Sequence, residues 1–116
     1  MIVYRIEHAD SKLGPFQHKM SSKTRALLME YWDSIENVSL KFPPPNEDYL
    51  ILENKNIPQN LKHKFACFTE EAIYEWLSEK VVNCLIKEDF EIRKYVKDID
   101  FQYMILGTNQ VVIFTE

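Results

Sequence analysis

The run Thr69-Glu70-Glu71-Ala72-Ile73-Tyr74-Glu75-Trp76-Leu77-Ser78-Glu79-Lys80-Val81-Val82-Asn83-Cys84-Leu85-Ile86, with the stretch Phe90 to Lys97 behind it, decides the fold class. Ile73, Trp76, Leu77, Val81, Cys84 and Leu85 recur at helical spacing, which predicts a helix over 70–86 with one apolar stripe. Thr69 is a good N-cap, and Glu70 and Glu71 suit the positive end of the helix dipole. Beyond the helix the period changes. Residues 90–97 alternate, 101–106 do the same, Gly107-Thr108-Asn109 is turn chemistry, and Gln110 to Thr115 is a last apolar strand. The expectation is an antiparallel meander of three strands whose last member is an open edge.

Upstream, Phe65 to Phe68 is a short apolar run, 54–60 is a polar loop containing Pro58, and Tyr49 to Leu52 reads as a short strand. Pro43-Pro44-Pro45 cannot continue a helix or enter a central strand, so it reads as an extended rigid connector. Ser21 or Ser22 caps a helix expected over 22–36, on which Leu27, Leu28, Tyr31, Trp32 and Ile35 share a face. The turn at Asp10 to Gly14-Pro15 precedes it. At the start, Ile2, Tyr4 and Ile6 alternate with Val3, Arg5 and Glu7, the pattern of a half-buried strand. The whole reads as one α+β domain over 1–116, two-layered and mostly antiparallel, with two main helices on one sheet face and the order β-α-(β)-β-α-β-β-β.

Bulk numbers narrow the function classes. The chain has 116 residues, 14 Lys plus Arg against 18 Asp plus Glu, and a formal net charge of −4. That balance lacks the basic surface that direct nucleic-acid binding calls for. Only Gly14 and Gly107 are glycines, too few for a phosphate-cradling GxxxxGK[ST] or GxGxxG loop. Cys67 and Cys84 form no CxxC and lie among apolar residues, which fits a reduced, cytoplasmic protein. No apolar run approaches a membrane span, and charges at Arg5 and Glu7 interrupt any signal-peptide reading. No histidine pair has metal-ligand spacing, so neither a metal nor a cofactor is expected.

Two sets of polar residues carry the candidate chemistry. Glu71, Glu75 and Glu79 fall at i, i+4 and i+8, with Glu70 beside them, and Glu88, Asp89 and Glu91 continue the acidic run. Of the charged residues after position 58, 7 are basic and 10 acidic, so the excess negative charge lies mainly there. An acidic face of this kind steers a partner with a basic surface, and it equally suits an ordinary solvated helix face. The second set is Arg5 with His8, which Asp10 is placed to orient. Arg5 and Glu7 on one strand face also fit a solvated ion pair, His63 sits in a basic patch with Lys62 and Lys64, and the three histidines fit ordinary surface positions. Trp32 and Trp76 read as core residues.

The opening Tyr4-Arg5-Ile6-Glu7-His8, the turn Gly14-Pro15-Phe16, and the later Phe68, Thr69, Glu71, Trp76, Gln110, Val111 and Phe114 resemble a group of small phage and prophage proteins. Cys67 departs from that pattern, where a small glycine is common, and Pro43–Pro45 lack its usual histidine neighbour. The resemblance implies origin in a mobile element. With the acidic face, it leads to an accessory protein that binds another protein without catalysis, for instance an inhibitor of a host enzyme or defence complex. The alternative is a compact nucleotide-using enzyme resembling ADP-ribosyltransferases. There Arg5 or His8 would hold the dinucleotide and Gln110 or Glu116 would stand in for the late glutamate. The Ser-Thr-Ser strand and Glu-x-Glu loop of those enzymes are absent.

Overall fold

A computed structural model describes residues 1–34, 42 and 61–115. Its elements run β1 (Ile2–His8), α1 (Ser22–Ser34), β2 (Lys62–Ala66), α2 (Glu70–Leu77), α3 (Glu79–Lys87), β3 (Phe90–Val96), β4 (Tyr103–Leu106) and β5 (Val111–Thr115). The α+β class holds, with every strand pairing antiparallel. The expected connector at Pro43–Pro45 and the strand at 49–52 lie outside the described residues, as does Glu116.

The strands divide differently from the expected meander. β3 leaves β4 and β5 and pairs with β1, while β5 lies between β2 and β4. The last strand is therefore a central strand, and the expectation of an open C-terminal edge is corrected. Alternation reports that a segment is a strand and which residues share a face, but it carries no information about the neighbour. The chain turns away after β3 because Asp98 takes a positive φ of 71° and the Asp100 carboxylate accepts from the Val96 N–H at 2.7 Å. The two sheets meet at a corner where Tyr4 and Cys67 exchange backbone hydrogen bonds of 2.8 and 2.7 Å.

This arrangement buries β1 on both faces. Ile6, with Tyr4 beside it, packs with Phe90 and Ile92 against Leu28, Ile73, Leu77, Val81, Val82 and Leu85 of the helices. On the other face Val3 and Tyr95 meet Ala66, Val111 and Ile113 of the second sheet. Arg5, Glu7 and Arg93 share that inward face by strand alternation and register. A half-buried strand was expected, because its charged positions read as a solvent face.

The helix expected over 70–86 is broken at Ser78, whose backbone stands at φ 78°, ψ 156°. Its N–H closes α2 on the Tyr74 carbonyl at 2.8 Å, and its Oγ accepts from the Val81 N–H at 3.2 Å to cap α3. The stripe looked continuous because both short helices turn their apolar faces, Ile73 with Leu77 and Val81 with Leu85, into one core. Thr69 caps α2 as expected, accepting from the Ala72 N–H at 3.1 Å.

A serine in this region of backbone space, natural only to glycine, carries strain of about 1–3 kcal/mol. Ser78→Ala keeps the strain and loses the cap, so it should cost about 1 kcal/mol. Ser78→Gly relieves the strain and loses only a few tenths of a kcal/mol of capping, so it should equal or exceed wild type. Urea unfolding of the three proteins checks the order, and a glycine variant less stable than the alanine one would refute it.

α1 is fixed at both ends. Glu88 accepts from the Ser21 N–H at 2.6 Å, from the Ser21 hydroxyl at 3.2 Å and from the Thr24 hydroxyl. Burial works to raise the Glu88 carboxyl, but these hydrogen bonds outweigh it and hold the group below its ordinary value. Glu88 thus belongs to the helix junction and does not extend the acidic face. Ser21 is the N-cap, accepting from the Thr24 N–H at 3.2 Å. At the other end, the Tyr31 hydroxyl and the Trp32 indole N–H donate to the Glu75 and Trp76 carbonyls at 2.6 and 2.7 Å. Those carbonyls lie in the last turn of α2, where the helix itself supplies no donor.

Candidate functional site

Two places in the fold gather functional groups. The first is the inward face of β1 and β3. Glu7 is 0% exposed, and its Oε2 accepts from Arg5 Nε at 2.9 Å. The Tyr95 hydroxyl donates to both carboxylate oxygens at 2.8 Å, and Arg93 Nη1 lies 3.6 Å from Oε1. From the opposite sheet, Lys64 Nζ donates to the Tyr95 hydroxyl at 3.4 Å. Burial, with the adjacent Glu7 carboxylate behind it, keeps the Tyr95 phenol protonated well beyond its usual range. Burial also lowers the Lys64 ammonium; Glu7 opposes that, while Arg5, Arg93 and Lys62 add to it. The solvated Arg5–Glu7 pair expected from sequence is therefore a buried one, and Lys64 is a half-buried member of its surroundings.

Arg5 is committed to this interior. Besides Glu7, its guanidinium donates to the Phe65 carbonyl at 2.9 Å and the Lys12 carbonyl at 3.4 Å. His8 is buried rather than at the surface, stacked on His18 with ring centroids 3.7 Å apart and edge-on to Phe90 at 5.3 Å. Asp10 orients the His8 ring by its backbone and not its carboxylate: the Asp10 N–H donates to Nδ1 at 3.2 Å. Nδ1 is thus the acceptor in this contact. Gln110 lies in the β4–β5 turn, where its carbonyl accepts from the Gly107 N–H at 2.8 Å. His63 is exposed. Burial pushes the Cys67 thiol up to about 12, which removes it as a nucleophile at neutral pH. Among the described residues, no three His, Cys, Asp or Glu side chains gather to hold a metal ion, and no helix is long and apolar enough to cross a membrane.

The second place is the outer side of α2. Glu70, Glu71, Glu75 and Glu79 are all exposed. The break at Ser78 makes Glu79 the first residue of α3, so the i, i+4, i+8 stripe ends at Glu75. Beside it Phe16, 50% exposed, leans on Trp32 at 5.9 Å and on Trp76 at 5.8 Å between ring centroids. Both tryptophans pack against the core as expected, but they also support this exposed ring. Sequence reasoning passed over the aromatic group, although Phe16 behind Gly14-Pro15 was in view.

No curated protein and no solved structure matches the chain. A family model described as "Bacteriophage T4 Y00F protein" matches it over residues 1–116. The match spans the whole sequence given, and the chain is a small phage protein of the Bacteriophage T4 Y00F family.

Proposed function

We propose that this phage protein acts by binding another protein, without catalysis, through the outer side of α2 and the aromatic group beside it. The supporting observation is the half-exposed Phe16 ring on Trp32 and Trp76, next to α2, whose charged residues Glu70, Glu71 and Glu75 are all exposed carboxylates, with Glu79 following at the start of α3. Aromatic anchors surrounded by polar residues are the usual energetic centre of protein interfaces. The carboxylates select a basic partner and speed its approach. A host enzyme or defence complex that the phage must inhibit is the class of partner this reading favours. The nucleotide-enzyme reading lacks comparable support, since Arg5 is held by Glu7, Phe65 and Lys12.

The test is capture from host lysate by wild type, Glu71→Lys/Glu75→Lys and Phe16→Ser, compared by quantitative mass spectrometry. All three side chains are exposed, so the variants should fold. A protein retained by wild type is expected to fall at least about tenfold with either variant, and raised salt should release it. Capture that neither variant changes would sink the proposal.

A further inference from the structure

We propose that Lys64 and Arg93, which both lie against the Tyr95 ring on the solvent side of the buried Glu7 carboxylate, bind the phosphate group of a small phosphate monoester. This site lies on the face of the β1–β3 pair opposite the helices, and it is independent of the protein-binding surface on α2.

Charge matching carries the proposal. Arg5 and Arg93 meet one buried carboxylate, and Lys64 joins them through the Tyr95 hydroxyl that this carboxylate holds. Arg5 is 7% exposed and its Nε is bonded to Glu7, so those two charges satisfy each other. Among the described residues the cluster thus holds three cations to one carboxylate, and its excess of two positive charges is the number that a phosphate monoester dianion requires. A single carboxylate ligand would leave one over.

Geometry points to the same place. Lys64 Nζ and the Arg93 guanidinium carbon stand 5.4 and 5.2 Å from the centroid of the Tyr95 ring. An ammonium has three protons, and among the described residues Lys64 directs one of them to the Tyr95 hydroxyl. Arg93 is 42% exposed, so its guanidinium reaches solvent at the mouth while Glu7 stays closed off beneath. A planar guanidinium and a compact ammonium over an aromatic wall suit phosphate oxygens. Lys62, exposed on the same strand, adds positive field toward the mouth. Two cations against one aromatic ring form a compact cluster, which fits a terminal phosphate group better than an extended macromolecular backbone.

The full chain is titrated by calorimetry with ribose 5-phosphate, inorganic phosphate, acetate and a short DNA duplex, and amide shifts are followed by NMR. Ribose 5-phosphate is expected to bind, to shift the amides of Lys64, Arg93 and Tyr95, and to weaken as salt rises. Acetate should bind at least about tenfold more weakly, because it matches only one of the two charges. Arg93→Gln alone and Lys64→Met with Arg93→Gln should each weaken the phosphate ester at least about tenfold, while Lys80→Gln on α3 changes nothing. The single variant removes a half-exposed side chain and keeps the test valid if the double variant misfolds. Inorganic phosphate binding as tightly as the ester assigns the site to the free ion, and a preference for the ester assigns it to a phosphorylated small molecule. No binding of either phosphate, equal binding of acetate, tighter binding of the duplex, or shifts confined to other residues would overturn the proposal.

Discussion

Glu7→Ala is expected to destabilise the domain by about 3–5 kcal/mol, the cost of breaking a buried ion pair by removing one partner. The carboxylate is 0% exposed and serves Arg5, Arg93 and the Tyr95 hydroxyl together. Without it the Arg5 guanidinium keeps two backbone carbonyls but loses its counter-charge, in an interior it cannot leave. The Tyr95 hydroxyl loses its acceptor as well, and an orphaned buried donor costs about 1–3 kcal/mol. These penalties overlap, because one cavity serves both groups. A domain of this kind is stable by about 5–15 kcal/mol, so the variant should lie at or near the edge of folding at 37 °C.

The double variant Glu7→Leu/Arg5→Met separates the cost of a broken pair from the value of an intact one. With both charges gone and volume retained, the part of the cost due to the unpaired Arg5 charge should be recovered, while the Tyr95 hydroxyl still lacks its acceptor. Chemical denaturation of Glu7→Leu, Arg5→Met and the double variant closes the cycle. A Glu7→Ala cost below about 1 kcal/mol would mean that solvent reaches the carboxylate, contrary to its burial between the sheets.

The same pair shows what a sequence does and does not disclose. Elements set by local chemistry were legible: the Ser21 and Thr69 caps, the helix from Ser22, and the hairpin turn at Gly107 to Asn109. Each depends on groups within a few residues of one another. The partition into two sheets was not legible, because alternation in Phe90–Val96 is equally compatible with pairing to β1 or to β4. The same ambiguity hid the burial of Arg5 and Glu7, since a polar strand face is buried only when a second sheet covers it. A signal was present in Arg5-x-Glu7 and Arg93-x-Tyr95, two strands each carrying complementary polar groups at the same spacing. At the candidate protein-binding surface, the exposure of Glu70, Glu71 and Glu75 followed from helical period. The position of Glu79 did not, because a single serine with positive φ moved it to another helix.

Leu28→Ala is expected to cost about 2–5 kcal/mol, toward the upper part of that range. Leu28 is 0% exposed and packs with Ile73 and Leu77 of α2 and Val81, Val82 and Leu85 of α3, where all three helices meet. α1 has 13 residues and no acidic residue in its first turn, and an isolated helix of that length is marginal in water. Of its side chains only Thr24 and Leu28 are fully buried. Leu27 and Trp32 add partly buried contacts with the same core, and the other attachments are polar: Ser21 and Thr24 to Glu88 at one end, Tyr31 and Trp32 to the α2 carbonyls at the other. Truncating Leu28 removes the fully buried apolar contact between those two ends and leaves a cavity that neighbours on separate helices cannot jointly close. The midpoint should fall by about 10 °C or more, at roughly 4 °C per kcal/mol for a domain of this size. Because β1 and β3 bury their second face against the other sheet, the loss should begin locally. Amides of α1 should exchange faster by hydrogen exchange while those of β1 and β3 stay protected. Leu28→Met, close in volume, should cost less than about 1.5 kcal/mol. If the alanine variant lost under about 1 kcal/mol with α1 exchange unchanged, the other attachments would hold the helix, and the apolar junction assigned to Leu28 would be wrong.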